Sequence, residues 1–458
     1  MSDKLAFKEK VGYSFGDFAS SMFWKLFSMF LMIYYTDVVE LSPASVGTMF
    51  LVTRLWDGLN DPIMGIIADR TSTAKGKFRP YLLWVAIPFA IMGILTFTTP
   101  DFGPSGKLIY AYVTYTLMMI VYTAINVPYS SLMGVMTSDT KERTSLASFR
   151  FIGAYSGGIF MTATVPYLLD YFRNSGSDDA QSYQYTVAIY AILAAIFFLM
   201  TYKWTKERVK PLIQNSSVKK DLKDLAKNGQ WFIMLGAGIA VLIFNSLRDG
   251  SIMYYFKYFV HDQTLPYFGN VEWDKLAGAY MTVWLVANLL GVLLAKPASA
   301  KFGKKNTFIG AMIIASIFSF LFYWVDPNAI GIIFGLNIII GLSAGIVLPL
   351  IWSMYADIAD YSEWKTGRRA TGLVFSSSSM SQKMGWTLGG AITGWLLYAY
   401  GFEANADQTV ESLKGIRMLI SIYPAFGALL SAGILLIYKL SDSFMDGIIS
   451  DLESRRKE

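Results

Sequence analysis

Long apolar runs recur along almost the whole chain. A helix needs about 20 consecutive apolar residues to cross the hydrocarbon core of a bilayer, and twelve such runs occur in the 458 residues. Because lipid offers backbone groups no hydrogen-bond partner, such runs can cross a membrane only as helices. The runs lie near residues 12–36, 45–68, 80–99, 108–131, 150–171, 185–204, 231–259, 276–296, 307–325, 329–355, 371–400 and 416–439. The sequence therefore predicts an all-α integral membrane protein with twelve transmembrane helices.

The composition excludes several other classes of protein. Only 16% of the residues are charged, whereas soluble domains carry about 25%. The chain has no cysteine and a single histidine, His261, so disulfides, cysteine-based metal sites and histidine clusters are excluded. We find no nucleophile–base pair and no phosphate-binding loop, and we expect neither an enzyme nor a cofactor.

The distribution of positive charge predicts the orientation of the chain. Lys and Arg are concentrated before the first apolar run, after every even-numbered run and at the end of the chain. Cytoplasmic loops carry this excess in membrane proteins, so we expect both termini in the cytoplasm. The pattern explains the net charge of +6 better than nucleic-acid binding does. The first ten residues are polar, so no cleavable signal peptide is expected, and we predict a bacterial plasma membrane protein.

A polar segment in the middle of the chain separates six runs from six. The fourth run contains Pro128, followed 11 and 14 residues later by Asp139 and Glu142; the tenth contains Pro349, followed at the same distances by Asp360 and Glu363. Similar halves of this kind are typical of transporters built from repeats. The predicted parts are an N-terminal six-helix bundle (1–205), a cytoplasmic middle loop (206–230), a C-terminal six-helix bundle (231–442) and a cytoplasmic tail (443–458).

The second run carries the densest group of charges at membrane depth. At 100° per residue, Arg54, Asp57 and Asp61 lie within roughly 60° of one another on one helix face. Two carboxylates one turn apart repel, and a Na⁺ ion or a shared proton between them would relieve that repulsion. We predict a cation site at Asp57 and Asp61. The alternative is a static ion-pair network with Arg54.

Polar side chains in the first and fourth runs are candidates for binding a hydroxylated solute. Asp17, Ser21 and Lys25 recur every four residues along one face, and Asp17 could accept hydrogen bonds from solute hydroxyls. Thr123 and Asn126 lie within one turn of the fourth run. Such groups could equally hold helices together, and Asp17 could instead lie at the cytoplasmic end of its span.

Two arginines are further candidates for the solute site. Arg150 opens the fifth run, where it either reaches a central cavity or extends to the membrane surface. Arg248 lies in the seventh run, where it either binds an acidic group of the solute or bridges helices as a structural residue.

The eleventh run combines a buried lysine with several serines. An isolated lysine at membrane depth is costly, so Lys383 is expected to face the carboxylates of Asp57 and Asp61 from the other half. The alternative is a lysine in a water-filled vestibule. The serines that precede it suit a hydroxylated solute, and Ser379 is assigned to the solute site.

Several motifs resemble those of the glycoside–pentoside–hexuronide:cation symporters, a family of the major facilitator superfamily. The resemblance covers nearly the whole chain, and its most specific motifs are RLWDGLNDPIMG (54–65) and ADIADYSEWKTGRR (356–369). It implies the major facilitator fold, in which two six-helix bundles alternate access to a central cavity.

The resemblance also assigns residues. It implies a cation site at Asp57, Asp61, Thr123 and Lys383. Sugar-binding aspartates known in the family are replaced by Ser21 and Asn126 here, which favours a different glycoside, pentoside or hexuronide. It places an arginine of the fifth helix at Arg150. The residues that match cytoplasmic gating loops are Asp69, Arg70, Asp360, Glu363 and Arg369.

The predicted function is symport of a sugar with Na⁺ or H⁺ by a protein that is monomeric in the bilayer, with no cofactor and no nucleic-acid partner. Two alternatives remain open. One is a uniporter or exporter with a purely structural charge network, and the other is a carrier of lipid-like solutes, which the serines of the eleventh run disfavour.

Overall fold

The structure is a computed structural model that describes residues 5–137, 140–208, 228–366 and 371–457. Its chain forms two compact units. The first comprises residues 1–213, 256–282 and 394–409, and the second comprises residues 214–255, 283–393 and 410–458. Each unit is described by itself below. The division into two six-helix bundles, a middle loop and a tail, with the boundaries given above, stays a prediction.

Helices account for most of the described chain, and each predicted apolar run coincides with one helix or with consecutive helices. In the part of the chain that the structure describes, seven helical segments are long and apolar enough to cross a membrane. Four further long helices carry the charged residues discussed below and do not belong to these seven. Twelve membrane-spanning helices therefore stay a prediction. The helices are α1 (Phe7–Met29), α2 (Leu31–Ile33), α3 (Pro43–Arg70), α4 (Arg79–Trp84), α5 (Ala86–Thr96), α6 (Pro104–Met136), α7 (Thr140–Asn174), α8 (Asp179–Trp204), α9 (Gly229–Tyr255), α10 (Trp273–Phe302), α11 (Lys304–Phe322), α12 (Ile330–Thr366), α13 (Thr371–Ala399), α14 (Val410–Ile420), α15 (Ile422–Leu436) and α16 (Asp442–Lys457).

Two helices end in a wide turn of π-helix. The turn Tyr34–Val38 follows α2, and the turn Phe256–Val260 continues α9. Each is followed by a residue in the left-handed region, Glu40 with φ 65° and His261 with φ 60°. Such π-turns are rare and occur frequently at functional sites. Both lie in the first unit and bring their side chains together, as described below.

A short β-hairpin interrupts the otherwise helical chain. Gln263–Leu265 pairs in antiparallel register with Gly269–Val271, and Leu265 lies opposite Gly269. The hairpin reverses through Tyr267 and Gly269, with φ 72° and 68°. The sequence analysis, which predicts an all-α protein, does not anticipate this hairpin, because two strands of three residues leave too little alternation to detect.

Two glycines allow α7 to approach the backbone of α1. A β-carbon on Gly153 would lie 2.2 Å from the carbonyl oxygen of Ser14, and one on Gly157 would lie 2.3 Å from that of Phe18. Small residues allow close packing of membrane helices in this way. The contact sets the polar residues of the two helices opposite each other.

One carboxylate fixes the loop between α3 and α4. Glu207, three residues beyond the end of α8, accepts the backbone N–H groups of Lys77, Phe78 and Arg79, each at 2.8 Å. The neighbouring Gly76 has φ 113°, and a β-carbon there would lie 2.6 Å from Oε1 of Glu207. We call this arrangement the Glu207 clamp.

The second unit contains a related arrangement between α10 and α11. Asp442 accepts the backbone N–H of Lys304 at 2.9 Å. A β-carbon on Gly303, which has φ 79°, would lie 2.8 Å from Oδ2 of Asp442. The ammonium group of Lys304 also pairs with Asp357. We call this arrangement the Asp442 clamp.

Candidate functional site

The two aspartates of α3 meet at one hydroxyl group of α6. Thr123 Oγ1 lies 2.7 Å from Oδ1 of Asp57 and 3.0 Å from Oδ1 of Asp61. The predicted spacing of one helical turn therefore brings both carboxylates to a common point. Thr123 and Asp57 are 2% and 4% exposed, whereas Asp61 is half-buried.

This geometry constrains the protons at the site. A threonine hydroxyl carries one hydrogen, so it can donate fully to only one of two carboxylate oxygens. The second short oxygen–oxygen distance is favourable when a proton or another cation supplies positive charge between the acidic groups. Three oxygen atoms thus converge on one point, which is the ligand type that hard cations prefer.

Arg54 lies on the same helix as the aspartates and has an aromatic environment. Its Nε donates to the hydroxyl of Tyr115 at 2.8 Å, and its guanidinium carbon lies 4.3 Å from the ring centroid of Trp24. Cation–π contact of this kind stabilises a desolvated arginine. Trp24 also lies against Tyr122, with 6.0 Å between the ring centroids. The charge of Arg54, on α3, is thereby held between aromatic side chains of α1 and α6.

Asp17 of α1 is held by Arg150 of α7. Nε of Arg150 donates to Oδ2 at 2.5 Å, and a terminal nitrogen donates to Oδ1 at 3.2 Å. Tyr129 donates to the same Oδ2 at 3.0 Å, and its ring lies 5.3 Å from the guanidinium carbon. The structure therefore brings together two residues that the sequence analysis assigned separately to the solute site. Both side chains keep some exposure, 14% for Asp17 and 28% for Arg150.

Asn126 lies on α6, three residues before the Tyr129 that contacts Asp17. It accepts a hydrogen bond from Ser20 at 2.6 Å and donates to the carbonyl of Tyr122 at 3.0 Å. Ser21, the predicted candidate next to Ser20, is half-buried. Polar groups thus continue from Asp17 past Asn126 to Thr123 along two adjacent helices of the first unit.

Arg248 occupies a fully buried position in the second unit. It is 1% exposed and donates to the carbonyl of Ile420 at 2.9 Å and to Oδ1 of Asn337 at 3.4 Å. Its guanidinium carbon lies 5.1 Å from the ring centroid of Trp284. The carbonyl of Ile420 ends α14, so Arg248 satisfies an acceptor that the helix leaves open. These contacts match the structural bridge that the sequence analysis held as the alternative to solute binding.

Two predicted residues lie on α13. Lys383 is half-buried in the second unit, and its carbonyl accepts a hydrogen bond from Thr387 at 2.6 Å. Ser379 lies one turn earlier on the same helix, and its side chain is outside the described residues. Asp57 and Asp61 belong to the first unit, so the expected approach of Lys383 to them stays a prediction.

The predicted gating residues lie at the ends of α3 and α12. Arg70 is the last residue of α3 and is exposed, whereas Asp360 and Glu363 are half-buried on α12. Asp69 lies on α3, but its side chain is outside the described residues. Arg369 also falls outside them.

Sequence reasoning missed two side chains of this site and one acid that fixes a loop. Tyr129 and Ser20 complete the contacts of Asp17 and Asn126, but both were hidden among aromatic and small residues that pack helices elsewhere. The available signal was spacing: Tyr129 lies three residues after Asn126, and Ser20 lies three residues after Asp17. Glu207 was counted only as part of a polar segment.

The fold and this polar site define a multi-pass membrane transporter. The chain belongs to the MFS/sugar transport protein family, whose sequence pattern matches residues 12–442. This confirms the predicted membership in the major facilitator superfamily and the predicted class of fold.

Relatives that match over nearly their whole length are named as symporters or sugar transporters. The chain is 37% identical to the isoprimeverose transporter of Lactiplantibacillus pentosus, over 98% of this chain and 92% of the relative. It is 35% identical to the inner membrane symporter YicJ of Escherichia coli (strain K12), over 94% and 91%. The resemblance to glycoside and pentoside symporters is thereby confirmed at the level of the family.

A solved structure with the same fold is that of the nucleoside transporter NupG. It matches with a TM-score of 0.65 and 16% identity, over 94% of this chain and 99% of that chain. At this identity the likeness concerns the fold alone.

Proposed function

We propose that this protein is a secondary active transporter that carries a sugar together with Na⁺ or H⁺ by alternating access. The proposed solute is a glycoside, a pentoside or a hexuronide. The observation that carries the proposal is the convergence of Asp57 and Asp61 on the hydroxyl of Thr123. The names of the full-length relatives support sugar as the solute.

The cation site is proposed at the three converging oxygen atoms. A bound Na⁺ would accept both carboxylates as ligands, and a proton would be shared between them. Either would remove the repulsion of two acidic groups held one turn apart. Because Asp57 is more buried than Asp61, Asp61 is the side from which we expect the ion to enter.

The solute site is proposed along the polar groups that lead away from Thr123. Asp17 and Arg150 form a two-point ion pair whose remaining lone pairs and N–H groups can bind adjacent hydroxyls of a sugar ring. Asn126 provides an amide between this pair and the cation site. Ser21 and Ser379 are kept as proposed members of the solute site.

Coupling is proposed to act through the helices that carry both sites. Thr123 and Asn126 lie within one turn of α6, so filling the cation site orders the segment that contacts the sugar. By reciprocity, the cation must then tighten sugar binding by the factor by which sugar tightens cation binding. In the empty carrier, Lys383 is proposed to replace the cation beside the aspartates.

The proposed arrangement in the cell follows from the charge pattern. We infer that the protein lies in the bacterial inner membrane with both termini in the cytoplasm. It is proposed to work as a monomer, with the gating residues Asp69, Arg70, Asp360, Glu363 and Arg369 at its cytoplasmic side.

Uptake by proteoliposomes tests the proposal. Purified protein would be assayed with isoprimeverose, other xylosides, galactosides and glucuronides, driven separately by a Na⁺ gradient and by a pH gradient. We expect one sugar class to accumulate with one of the gradients, and Asp61→Asn to abolish accumulation while exchange of sugar across the membrane persists. Uptake that ignores both gradients would instead favour the uniporter or exporter, and failure of every sugar would refute sugar transport.

A further inference from the structure

A cavity of about 300 Å³ lies in the first unit beside the two π-turns, and its lining contains no residue of the cation site. Binding pockets for small molecules have volumes of roughly 300 to 1,000 Å³, so this one suits a ligand of about one sugar ring. Its lining is mostly polar. The lining residues are Ile33, Asp37, Val38, Arg173, Asp179, Tyr183, Lys257, Trp273 and Asn405.

The acid of the first π-turn receives donors from the second. Lys257 Nζ lies 2.6 Å from Oδ2 of Asp37, and the hydroxyl of Tyr258 donates to the same oxygen. Asn405 accepts from Lys257 at 2.7 Å and donates to the backbone carbonyl of Asp37 at 2.6 Å. The side chain of Asp37 is only 3% exposed. These contacts fix one wall of the cavity.

The opposite wall is built on Arg173. It pairs with Asp179 at 2.7 Å and with Asp274 at 3.1 Å. Each charged residue that lines the cavity therefore has an opposite charge in contact. An ionic ligand would have to displace one of these pairs, whereas a neutral ligand with several hydroxyls can use the lone pairs and N–H groups that the pairs leave available.

An aromatic ring adjoins these pairs. Trp273 is half-buried, and its backbone N–H donates to the carboxylate of Asp262 at 2.9 Å, which fixes the start of α10. Lys257 Nζ lies 5.9 Å from the ring centroid. Aromatic side chains combine a large apolar face with a polar edge and little conformational freedom, so Trp273 offers a surface for the apolar face of a sugar.

We propose that this cavity is a second sugar-binding site, a vestibule distinct from the site around Asp17 and Asn126. It takes one neutral sugar ring, with Trp273 against the ring face and Arg173, Asp179 and Asn405 at the hydroxyls. The inference rests on the proposed function for the choice of sugar as ligand. Because Asp37 and Lys257 belong to different π-turns, a sugar bound here contacts both.

Alkylation of a single cysteine tests the vestibule. The sequence has no cysteine, so Val38→Cys places the one thiol of the full-length protein on the wall of the cavity. Leu265→Cys is the matched control, because Leu265 is another half-buried aliphatic residue of the first unit, on the β-hairpin, and does not line the cavity. The rate of labelling by a maleimide would be measured with and without isoprimeverose, D-xylose and a phenyl glucuronide.

We expect D-xylose or isoprimeverose to slow labelling of Val38→Cys by threefold or more, whereas the anionic phenyl glucuronide should not, and we expect labelling of Leu265→Cys to stay unchanged. The protection must persist when Asn126→Ala disables the proposed solute site around Asp17 and Asn126. It must disappear with Trp273→Ala. The labelling rate of Val38→Cys without sugar is the reference. A second substitution that leaves this rate unchanged leaves the cavity folded.

Three outcomes would overturn the vestibule: no protection by any sugar, equal protection of both cysteines, or protection that vanishes with Asn126→Ala. The last result would mean that the cavity only responds to binding elsewhere. Uptake measured on the same preparations separates the two ideas, because transport without protection refutes the vestibule and leaves the proposed function in place.

Discussion

Arg150 holds Asp17 through two hydrogen bonds, one to each carboxylate oxygen, although the two residues are 133 positions apart in the chain. The pair joins α1 to α7 at the point where Gly153 and Gly157 bring the two backbones into contact. It thus acts both in packing and in the proposed binding of the solute, and the two roles can be tested separately.

Replacing one partner of this pair should destabilise the protein, and replacing both should cost less. Asp17→Asn leaves the guanidinium without its charge partner, and we expect a loss of about 2 kcal/mol, below the value for fully buried pairs because Arg150 is partly exposed. The measurement is thermal unfolding in detergent for each single variant and for Asp17→Asn/Arg150→Met.

Transport measures the second role. Arg150→Lys keeps the charge but not the two-point geometry, so we expect sugar uptake to fall about tenfold while the protein stays folded. Unchanged uptake in Arg150→Lys would restrict the pair to packing.

The hydroxyl of Thr123 should be required for cation coupling. Thr123→Ser keeps the oxygen that contacts both aspartates, and we expect its cation dependence to stay within about threefold of the original protein. Thr123→Val has a similar shape without the hydroxyl, so both carboxylates lose this contact, and we expect about a tenfold weaker cation dependence. Initial rates of uptake would be measured against Na⁺ concentration, and against pH in its absence. Equal behaviour of the two variants would contradict the assigned site.

The Glu207 clamp should contribute to stability. Glu207→Gln retains only one acceptor oxygen for three N–H groups, and we expect a loss of about 1 to 3 kcal/mol. Limited proteolysis in the loop after α3 should accelerate as well. The neighbouring exposed Lys206 provides the control, and Lys206→Gln should change neither quantity by a measurable amount. An unaltered melting temperature in Glu207→Gln would show that the clamp carries no net stability.

Arg248 allows the structural and solute-binding interpretations to be distinguished. If it only bridges helices, Arg248→Lys should lower the melting temperature, because a lysine cannot serve the carbonyl of Ile420 and the side chain of Asn337 with the same geometry. The affinity for sugar should then stay unchanged in the folded fraction. A shift in sugar KM without loss of stability would restore the assignment of Arg248 to the solute site.

The sequence predicted those parts of the site that depend on one helix. Asp57 and Asp61 share a face of α3 by spacing alone, and the helices coincide with the apolar runs because membrane depth demands continuous helix. Thr123 was already a candidate from its place in the fourth run, and the family resemblance assigned it to the cation.

Contacts between distant segments were not predictable in the same way. The pairing of Asp17 with Arg150 depends on how α7 packs against α1. Two glycines permit this packing, but their positions in the sequence do not predict it. The π-turn at Asp37 and the donors from Lys257 and Tyr258 follow from local backbone geometry that leaves no periodic signal. The sequence analysis therefore does not single out Asp37.

The two carboxylate clamps limit where this chain can be altered. Glu207 holds the three amides that follow Gly76, and Asp442 holds the one amide that follows Gly303, so one residue added beside either left-handed glycine would carry these amides out of reach. Neither loop is a suitable place for an epitope tag. A chimaera that borrows either loop from a relative would need to bring the matching acid, more than 100 residues away, along with it.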